Sequence, residues 1–168
     1  MAALTPFNLK SWVDENRHLL KPPVGNKAIW AGQFLVMIVG GPNARSDYHI
    51  NPGEELFYQI EGDVVLKIIE GGQPRDIPLK QGDIFLLPAG IPHSPQRPAG
   101  TVGLVVEHPG CFTAEHHLRW YCRDCGGTVH DATFIPADIG QQIKAMLAEF
   151  NGNESLRKCK GCGQAFAV

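Results

Sequence analysis

The chain has 168 residues, of which 43% are hydrophobic and 19% are charged, and its formal net charge is −2. This length fits one domain, or one domain with a short appendage, and the composition is that of a globular protein. The small negative charge and the lack of a basic run argue against a nucleic-acid partner. No segment has the apolar run that a membrane span requires, and the first residues lack the pattern of a signal peptide, so we expect a cytoplasmic protein without a membrane partner.

The first predicted element is a helix over residues 8–20. Asn8 can cap its N-terminus, and apolar residues lie along one side of it. Pro22 and Pro23 follow and end the helix, because proline neither continues a helix nor lets the preceding residue stay helical. We expect the apolar side of this helix to pack against the rest of the domain or against a partner subunit.

A row of short strands follows this helix. The strand-like segments are separated by turn signals, and we predict strands over residues 27–30, 34–39, 56–60, 64–69, 76–79, 83–87 and 102–107. Short strands at this spacing are typical of an all-β sandwich or barrel. A doubly wound fold would need helices between the strands, and residues 34–107 leave no room for them.

The remainder of the chain differs from the strand-rich part, because it contains four of the five cysteines. Residues 138–150 form the clearest predicted helix, which Asp138 caps and which has one apolar stripe suited to core or interface packing. The stripe consists of Ile139, Ile143, Met146, Leu147 and Phe150. We therefore divide the chain into a barrel with its N-terminal helix over residues 1–115 and a four-cysteine appendage over residues 116–168.

Two C-x-x-C-G motifs stand in the appendage and contain Cys122, Cys125, Cys159 and Cys162. Two residues between thiolates let both sulfurs reach one tetrahedral ion, and the glycine after each pair lets the backbone turn. The motifs therefore indicate a structural site for Zn or a single rubredoxin-like iron, with no position left for a substrate. Redox-active dithiols or disulfides are the alternatives, but a cytosolic redox motif is typically one C-x-x-C near a βαβ unit. The fifth cysteine, Cys111, is expected to be a free thiol.

One carboxylate and two imidazoles stand beside turn signals in the strand-rich part, at His49, Glu55 and His93. We predict that they close around one divalent metal ion, in the facial arrangement of non-haem Fe(II) oxygenases. Strand alternation points Glu54 and Glu55 to opposite faces, so only one of the two can be a ligand. For either histidine, a core or surface side chain with satisfied hydrogen bonds is the simpler alternative.

Two segments resemble the paired motifs of the cupin superfamily. Gly82 is followed by P-A-G at residues 88–90 and then by His93, and Glu55 is followed by Gly62 at the spacing of the superfamily. Asp47 stands where the usual first histidine would fall, which favours a site with three ligands.

Further segments resemble the 3-hydroxyanthranilate 3,4-dioxygenase family, and the cysteine tail resembles that of its bacterial members. These segments are K-P-P-V-G-N at 21–26, G-G-P-N at 40–43, R-S-D-Y-H at 45–49, F-Y-Q at 57–59 and H-S-P-Q-R-P at 93–98. The resemblance implies an all-β, cupin-type barrel (double-stranded β-helix) with an N-terminal helix, a C-terminal helix and a rubredoxin-like metal-binding tail. It also implies Fe(II) held by His49, Glu55 and His93, and a homodimer.

The implied reaction is the cleavage of the ring of 3-hydroxyanthranilate by O2, which gives 2-amino-3-carboxymuconate semialdehyde in the kynurenine pathway. In this family Arg97 would hold the substrate carboxylate, Glu107 would lie near its hydroxyl and amine, and Arg45 would orient oxygen and the carboxylate beside the iron. Asn26 and Phe57 would line the pocket. The chemistry is consistent with these roles, because a buried carboxylate needs a cation and a phenol needs a proton acceptor.

Two other functions stay open at this point. One is a ring-cleaving cupin dioxygenase that acts on another substituted aminophenol or on a salicylate. The other is a cupin without catalytic activity that binds metal or a small ligand. From the residues alone, Arg45 and Arg97 are equally well explained as solvated loop charges.

Overall fold

The computed structural model of the chain describes residues 5–21, 25–43, 45–108 and 113–167. It begins with helix α1 over Leu9–Asn16, which a short 3-10 turn over Arg17–Leu19 continues. The side chain of Asn8 accepts a hydrogen bond from the Ser11 amide, so the predicted cap is confirmed. The predicted end of the helix at Pro22 and Pro23 lies outside the described residues.

Helix α1 covers one end of a sheet. Its buried Val13, together with Leu20, packs against Ile38 and Val102 from two neighbouring strands. The helix therefore packs on the barrel wall, which is one of the two predicted positions. None of the helices in the described ranges has the length and apolar character needed to cross a membrane.

The described residues form two antiparallel sheets. The five-stranded sheet has the order β1-β2-β9-β4-β7, and the six-stranded sheet has the order β11-β10-β3-β8-β5-β6. The first sheet contains β1 Asn26–Ala31, β2 Leu35–Gly40, β4 Glu55–Glu61, β7 Ile84–Leu87 and β9 Val102–Glu107. The second contains β3 Tyr48–Ile50, β5 Val64–Glu70, β6 Gln73–Leu79, β8 His93–Gln96, β10 His116–Tyr121 and β11 Thr128–Phe134.

The main core lies between the two sheets. Side chains on β5 alternate, so that Val64, Leu66 and Ile68 are buried while Lys67 is exposed. They meet Phe57 and other apolar side chains of the five-stranded sheet in one cluster. This arrangement confirms the all-β, cupin-type prediction.

The seven predicted strands are all present, and their bounds differ from the prediction by at most three residues. Four further strands were not among those predicted, namely β3, β8, β10 and β11. β3 has only three residues and β8 only four, and β10 has the sequence H-H-L-R-W-Y, which is polar at alternate positions. Such segments lack the continuous apolar signal that identified the others.

β10 joins the cysteine-rich part of the chain to the barrel. It pairs with β3 in the six-stranded sheet, where Leu118 is opposite His49. The division of the chain at residue 115 remains a prediction, but the backbone hydrogen bonding of the sheet continues across it.

A second core lies under the cysteine motifs. Helix α2 spans Ile139–Gly152, and Asp138 caps it by accepting a hydrogen bond from the Gln141 amide. Phe150 is fully buried in this core and stacks on Trp120 with 4.1 Å between ring centroids. Three other residues of the predicted stripe pack on the same cluster, namely Ile143, Met146 and Leu147. Ile139, at the start of the stripe, packs instead on the main barrel core.

Candidate metal centre and substrate pocket

The three predicted ligands of the barrel meet between the sheets. His49 on β3 and His93 on β8 are opposite each other in an antiparallel pair, and Glu55 begins β4 of the other sheet. The Oε1 atom of Glu55 lies 3.3 Å from His93 Nε2 and 3.8 Å from His49 Nδ1. One nitrogen or oxygen atom from each residue lies within 4.8 Å of the others. The sheet packing therefore assembles two imidazoles and one carboxylate around a single point.

This cluster fits a metal cation. All three side chains are buried, and among the described residues Glu55 Oε1 has no hydrogen-bond partner of acceptable geometry. A buried carboxylate oxygen without a partner is costly, and a cation between the three groups removes that cost. Two neutral nitrogens and one carboxylate oxygen form a donor set that suits a divalent transition metal.

The charges in the cluster are set by the Glu55 carboxylate. Burial would lower the pKa of His93, but the nearby Glu55 raises it overall, so a metal ion bound here would displace the His93 proton. Burial lowers the pKa of His49 to about 3, which keeps that imidazole neutral, as a metal ligand must be. Burial alone would raise the pKa of Glu55, but the neighbouring His93 and His49 outweigh it and lower the pKa. The carboxyl group is therefore held in the ionised form that binds metal.

The residues that were predicted to hold the substrate line the same cavity as the ligands. This cavity has a volume of about 140 Å³. Its lining includes Asn26, Arg45, His49, Glu55, Phe57, His93, Arg97 and Glu107. The cavity shares Asn26, Met37, Ile139 and Gly140 with a larger outer cleft of about 700 Å³, so these residues lie where the pocket meets the surface.

Arg97 is a buried cation at one side of the cavity. It follows β8, its side chain is 7% exposed, and its backbone exchanges two hydrogen bonds of 2.8 Å with Asn43. Its Nη1 donates a hydrogen bond to Gln59 Oε1 at 3.2 Å. Burial lowers the pKa of Arg97 to about 10, and no carboxylate of the described residues forms an ion pair with it. Arg97 can therefore bind an anionic group of a ligand.

Glu107 is a buried acid at another side of the cavity. It ends β9 opposite Glu55, and its Oε2 accepts a hydrogen bond of 3.1 Å from Asn51. Burial raises the pKa of Glu107 to about 8, and the negative charge of Glu55 adds to this effect. A carboxyl group with this pKa can exchange a proton with a ligand near neutral pH.

Arg45 is fixed by Asp47, the residue that stands where the usual first histidine of the superfamily would fall. Arg45 Nε donates to one oxygen of Asp47 at 3.0 Å and Nη2 donates to the other, and Asp47 is fully buried. Burial would lower the pKa of Arg45, but the charge of Asp47 raises it overall. Arg45 therefore stays cationic at the edge of the cavity.

One buried residue near the ligands was missed by the sequence analysis. His116 on β10 is fully buried, and its Nδ1 lies 2.9 Å from His49 Nε2. Such a contact fixes the orientation of a ligating imidazole. The signal that could have identified it is the alternation of His116, Leu118 and Trp120, which all point inward along β10.

The apolar stripe of α2 has a second role that was also missed. Ile139, Ile143 and Leu147 line the cavity that contains the metal ligands. The prediction of core packing is correct for the stripe, but these three side chains also form one wall of the pocket.

The four predicted cysteines of the appendage also meet. Cys122 Sγ lies 3.6 Å from Cys162 Sγ, and Cys125 Sγ lies 3.6 Å from Cys159 Sγ. A disulfide requires about 2.05 Å, so these are four thiols gathered around one point. The glycines after each pair, Gly126 and Gly163, have φ angles of 71° and 78°, as the predicted turn requires. Cys111 lies outside the described residues.

Two packed antiparallel sheets that enclose a two-histidine, one-carboxylate cluster define a metal-binding cupin. Among solved structures, protein NMB1881 from Neisseria meningitidis aligns with a TM-score of 0.51 at 16% identity, over 62% of this chain and 99% of that one. A cupin-2 domain containing protein from Shewanella frigidimarina NCIMB 400 aligns with a TM-score of 0.48 at 15% identity, over 60% and 99%.

Sequence relatives identify the particular family. A family model described as 3-hydroxyanthranilic acid dioxygenase matches residues 1–151. The 3-hydroxyanthranilate 3,4-dioxygenase of Neurospora crassa is 50% identical over 159 residues, which cover 95% of this chain and 88% of that protein. The enzyme of the same name from Ruegeria pomeroyi is 46% identical over 166 residues, which cover 98% and 92%. The chain belongs to the 3-hydroxyanthranilic acid dioxygenase family.

Proposed function

We propose that this protein is a dioxygenase that opens the aromatic ring of 3-hydroxyanthranilate with O2 and releases 2-amino-3-carboxymuconate semialdehyde. The observation that carries the proposal is the arrangement of Arg97 and Glu107 around one cavity with the metal-ligand cluster. A buried cation without a carboxylate partner suits the carboxylate of this substrate, and a buried acid suits its hydroxyl group. Membership of the family supports the same reaction.

The proposed metal is Fe(II), held by His49, Glu55 and His93. Held by these three ligands, Fe(II) would have coordination positions free for an ortho-aminophenol and for O2, and it would supply the redox chemistry. The protein supplies the position and the charges. The buried Oε1 of Glu55, which lacks a hydrogen-bond partner of acceptable geometry among the described residues, is the feature that favours a cation at this point.

Glu107 has the proposed role of proton acceptor for the phenol. A phenol that approaches the metal ligands must lose its proton, and Glu107 is buried beside Glu55 on the neighbouring strand. Its raised pKa of about 8 makes its carboxylate form a stronger base than that of an ordinary glutamate. Asn51 donates a hydrogen bond to Glu107 Oε2 and so restrains the orientation of the carboxyl group.

Arg97 has the proposed role of binding the substrate carboxylate, because its planar guanidinium can form two parallel hydrogen bonds with it. Arg45, which Asp47 holds and which lines the same cavity, would orient oxygen and the carboxylate. Asn26 and Phe57 would complete the walls of the pocket.

The four-cysteine site is proposed to hold Zn or Fe in a structural role, because its four ligands leave no position for a substrate. On this view residues 1–115 form the catalytic part and residues 116–168 form a metal-stabilised appendage. We further propose a cytoplasmic homodimer, in the kynurenine-type breakdown of tryptophan.

The test uses the full chain, prepared without oxygen and loaded with Fe(II). On mixing with 3-hydroxyanthranilate and air, we expect one O2 consumed per substrate, together with the loss of substrate absorbance. The metal-free protein is the control. Oxygen uptake with a salicylate or another aminophenol in preference would identify a different ring-cleaving enzyme, and no uptake with any of these compounds would indicate a cupin without catalytic activity.

A further inference from the structure

Gln59 lies behind the guanidinium of Arg97 and is the only side chain of the described residues to which Arg97 donates a hydrogen bond. The Nη1–Oε1 distance is 3.2 Å, and Gln59 is 2% exposed. No carboxylate of the described ranges neutralises Arg97, so a neutral amide sets the direction of this cation. Because this partner is neutral, the positive charge of Arg97 remains available to a ligand.

The side-chain amide of Gln59 cannot adopt the flipped orientation, in which its oxygen and nitrogen exchange places. Its Nε2 donates to the carbonyl oxygen of Glu61 at 2.9 Å and to that of Val102 at 3.1 Å, which uses both amide hydrogens. In the reversed orientation, Oε1 would face two carbonyl oxygens, which are acceptors as well. The acceptor oxygen of Gln59 is therefore held towards Arg97 by the backbone of β4 and β9.

The backbone around Gln59 is fixed as well. Its amide donates to the Asp83 carbonyl at 2.9 Å, and its own carbonyl accepts from the Gly82 amide at 2.7 Å. On β9, Gly103 is opposite Gln59, and a Cβ atom at that position would lie only 2.9 Å from Arg97 Nη1. The guanidinium thus lies close to the backbone of β9, at a point where no side chain intervenes.

We propose that Gln59 is a positioning residue that directs Arg97 at the substrate carboxylate without neutralising it, and so determines the preference for a carboxylated aminophenol. This inference rests on the function proposed above. A carboxylate at this position would form an ion pair with Arg97 and compete with the substrate for the guanidinium. A neutral acceptor orients the cation and leaves its charge for the ligand.

The test compares two substrates, 3-hydroxyanthranilate and 2-aminophenol, which differ by the carboxylate. The measured quantity is the ratio of their kcat/KM values in the Fe(II)-loaded enzyme. We expect Gln59→Glu to lower this ratio about tenfold or more, mainly through a higher KM for 3-hydroxyanthranilate, because a charged contact is lost in the ground state and the transition state alike. Anaerobic titration with 3-hydroxyanthranilate should show a matching loss of affinity.

A matched control is Gln81→Glu, which adds the same charge nearby. Gln81 accepts a hydrogen bond from the Gly62 amide on the protein surface and does not touch Arg97. The ratio of kcat/KM values should stay within about twofold of that of the unaltered enzyme. An equal fall in this control would overturn the inference, because it would show that added charge alone is responsible.

A second variant covers the case in which Gln59→Glu fails to fold, since a carboxylate oxygen in place of Nε2 would face two carbonyls. Gln59→Met keeps the length of the side chain and removes the acceptor, and we expect a smaller fall in the same ratio. When Gln59→Met is added to Arg97→Met, the ratio should not fall further, because Gln59 acts through Arg97. A further fall would assign a purely structural role to Gln59.

The outcomes separate this inference from the proposed function. If the unaltered enzyme does not bind or oxidise 3-hydroxyanthranilate, the proposed function is wrong and the inference falls with it. If the unaltered enzyme is active and Gln59→Glu or Gln59→Met keeps its full preference for the carboxylated substrate, the inference alone is wrong.

Discussion

The two candidate metal sites of this protein are built in opposite ways. In the barrel, His49, Glu55 and His93 come from three strands of two sheets and are all buried. In the appendage, each half of the four-cysteine site is a short motif, and Cys125 and Cys162 are exposed. The barrel site shares a cavity with charged side chains, whereas the cysteine site would use all four of its sulfur atoms for one ion.

The difference shows that local sequence determines the geometry of the cysteine motifs, whereas tertiary structure determines the geometry of the barrel cluster. A C-x-x-C-G motif contains its own turn, and the two motifs repeat the same backbone hydrogen bonds, from Gly126 to Cys122 and from Gly163 to Cys159. The barrel cluster has no such local geometry, because its distances depend on strand register and on how two sheets pack. The first design would suit a structural ion, and the second would leave coordination positions of a bound ion free for chemistry.

The largest expected effect comes from removing the barrel carboxylate. Glu55→Gln removes the only anionic ligand of the barrel cluster, so iron should be lost there while metal stays at the cysteines. Turnover should fall on the order of 10³-fold or more, since metal-ion catalysis contributes several kcal/mol. Elemental analysis per chain and oxygen uptake measure the two effects.

Glu54→Gln is the matched control for this change. Glu54 is adjacent to Glu55 but exposed, and it precedes the first residue of β4. This variant should keep both metal content and turnover. If Glu55→Gln kept full iron and activity, the barrel site would not be the catalytic one.

The second prediction concerns the cysteine site. Cys159→Ser should lower Tm by roughly 10 °C, because a structural metal contributes directly to folding stability. Turnover per barrel iron should stay near normal. Thermal unfolding and iron-normalised rates measure the two quantities. Lost activity in a well-folded variant with full barrel iron would show that the two sites depend on each other.

Much of this architecture could be predicted from the sequence, for physical reasons that differ between regions. Strands such as β2 and β9 are continuous apolar runs covered on both sides, so their signal is strong. The three barrel ligands and four cysteines could be predicted because motif spacing and resemblance marked them. The structure brings all seven into the two expected clusters.

What the sequence did not predict depends on long-range pairing. His116 reaches His49 only because β10 adds to the edge of β3, and β3 itself is too short to be recognised. The position of Gln59 behind Arg97 likewise depends on the register between β4 and β9. Contacts of this kind are set by strand neighbours that are distant in the chain, which local patterns do not specify.

The third prediction tests whether the appendage contributes to the barrel site through β10. His116→Leu removes the imidazole next to His49 and should weaken the affinity of the barrel for Fe(II) about 10- to 100-fold, the usual effect of losing an outer hydrogen-bond partner of a ligand. Competition with a chelator measures this affinity without turnover. His117→Leu is the control, because His117 lies on the opposite face of β10 and contacts Asp131. Equal affinity in both variants would separate β10 from the metal site.

The smallest expected effect concerns α2, which touches both regions. Ile139 at its start packs on the barrel core, and Phe150 near its end packs under the cysteines. Asp138→Ala removes the N-cap and should lower the free energy of unfolding by about 1 kcal/mol, or Tm by roughly 2–4 °C, with both metal contents unchanged. Asp138→Asn should restore stability, since asparagine caps a helix equally well. A change in metal content at either site in Asp138→Ala would show that the start of α2 supports that site directly.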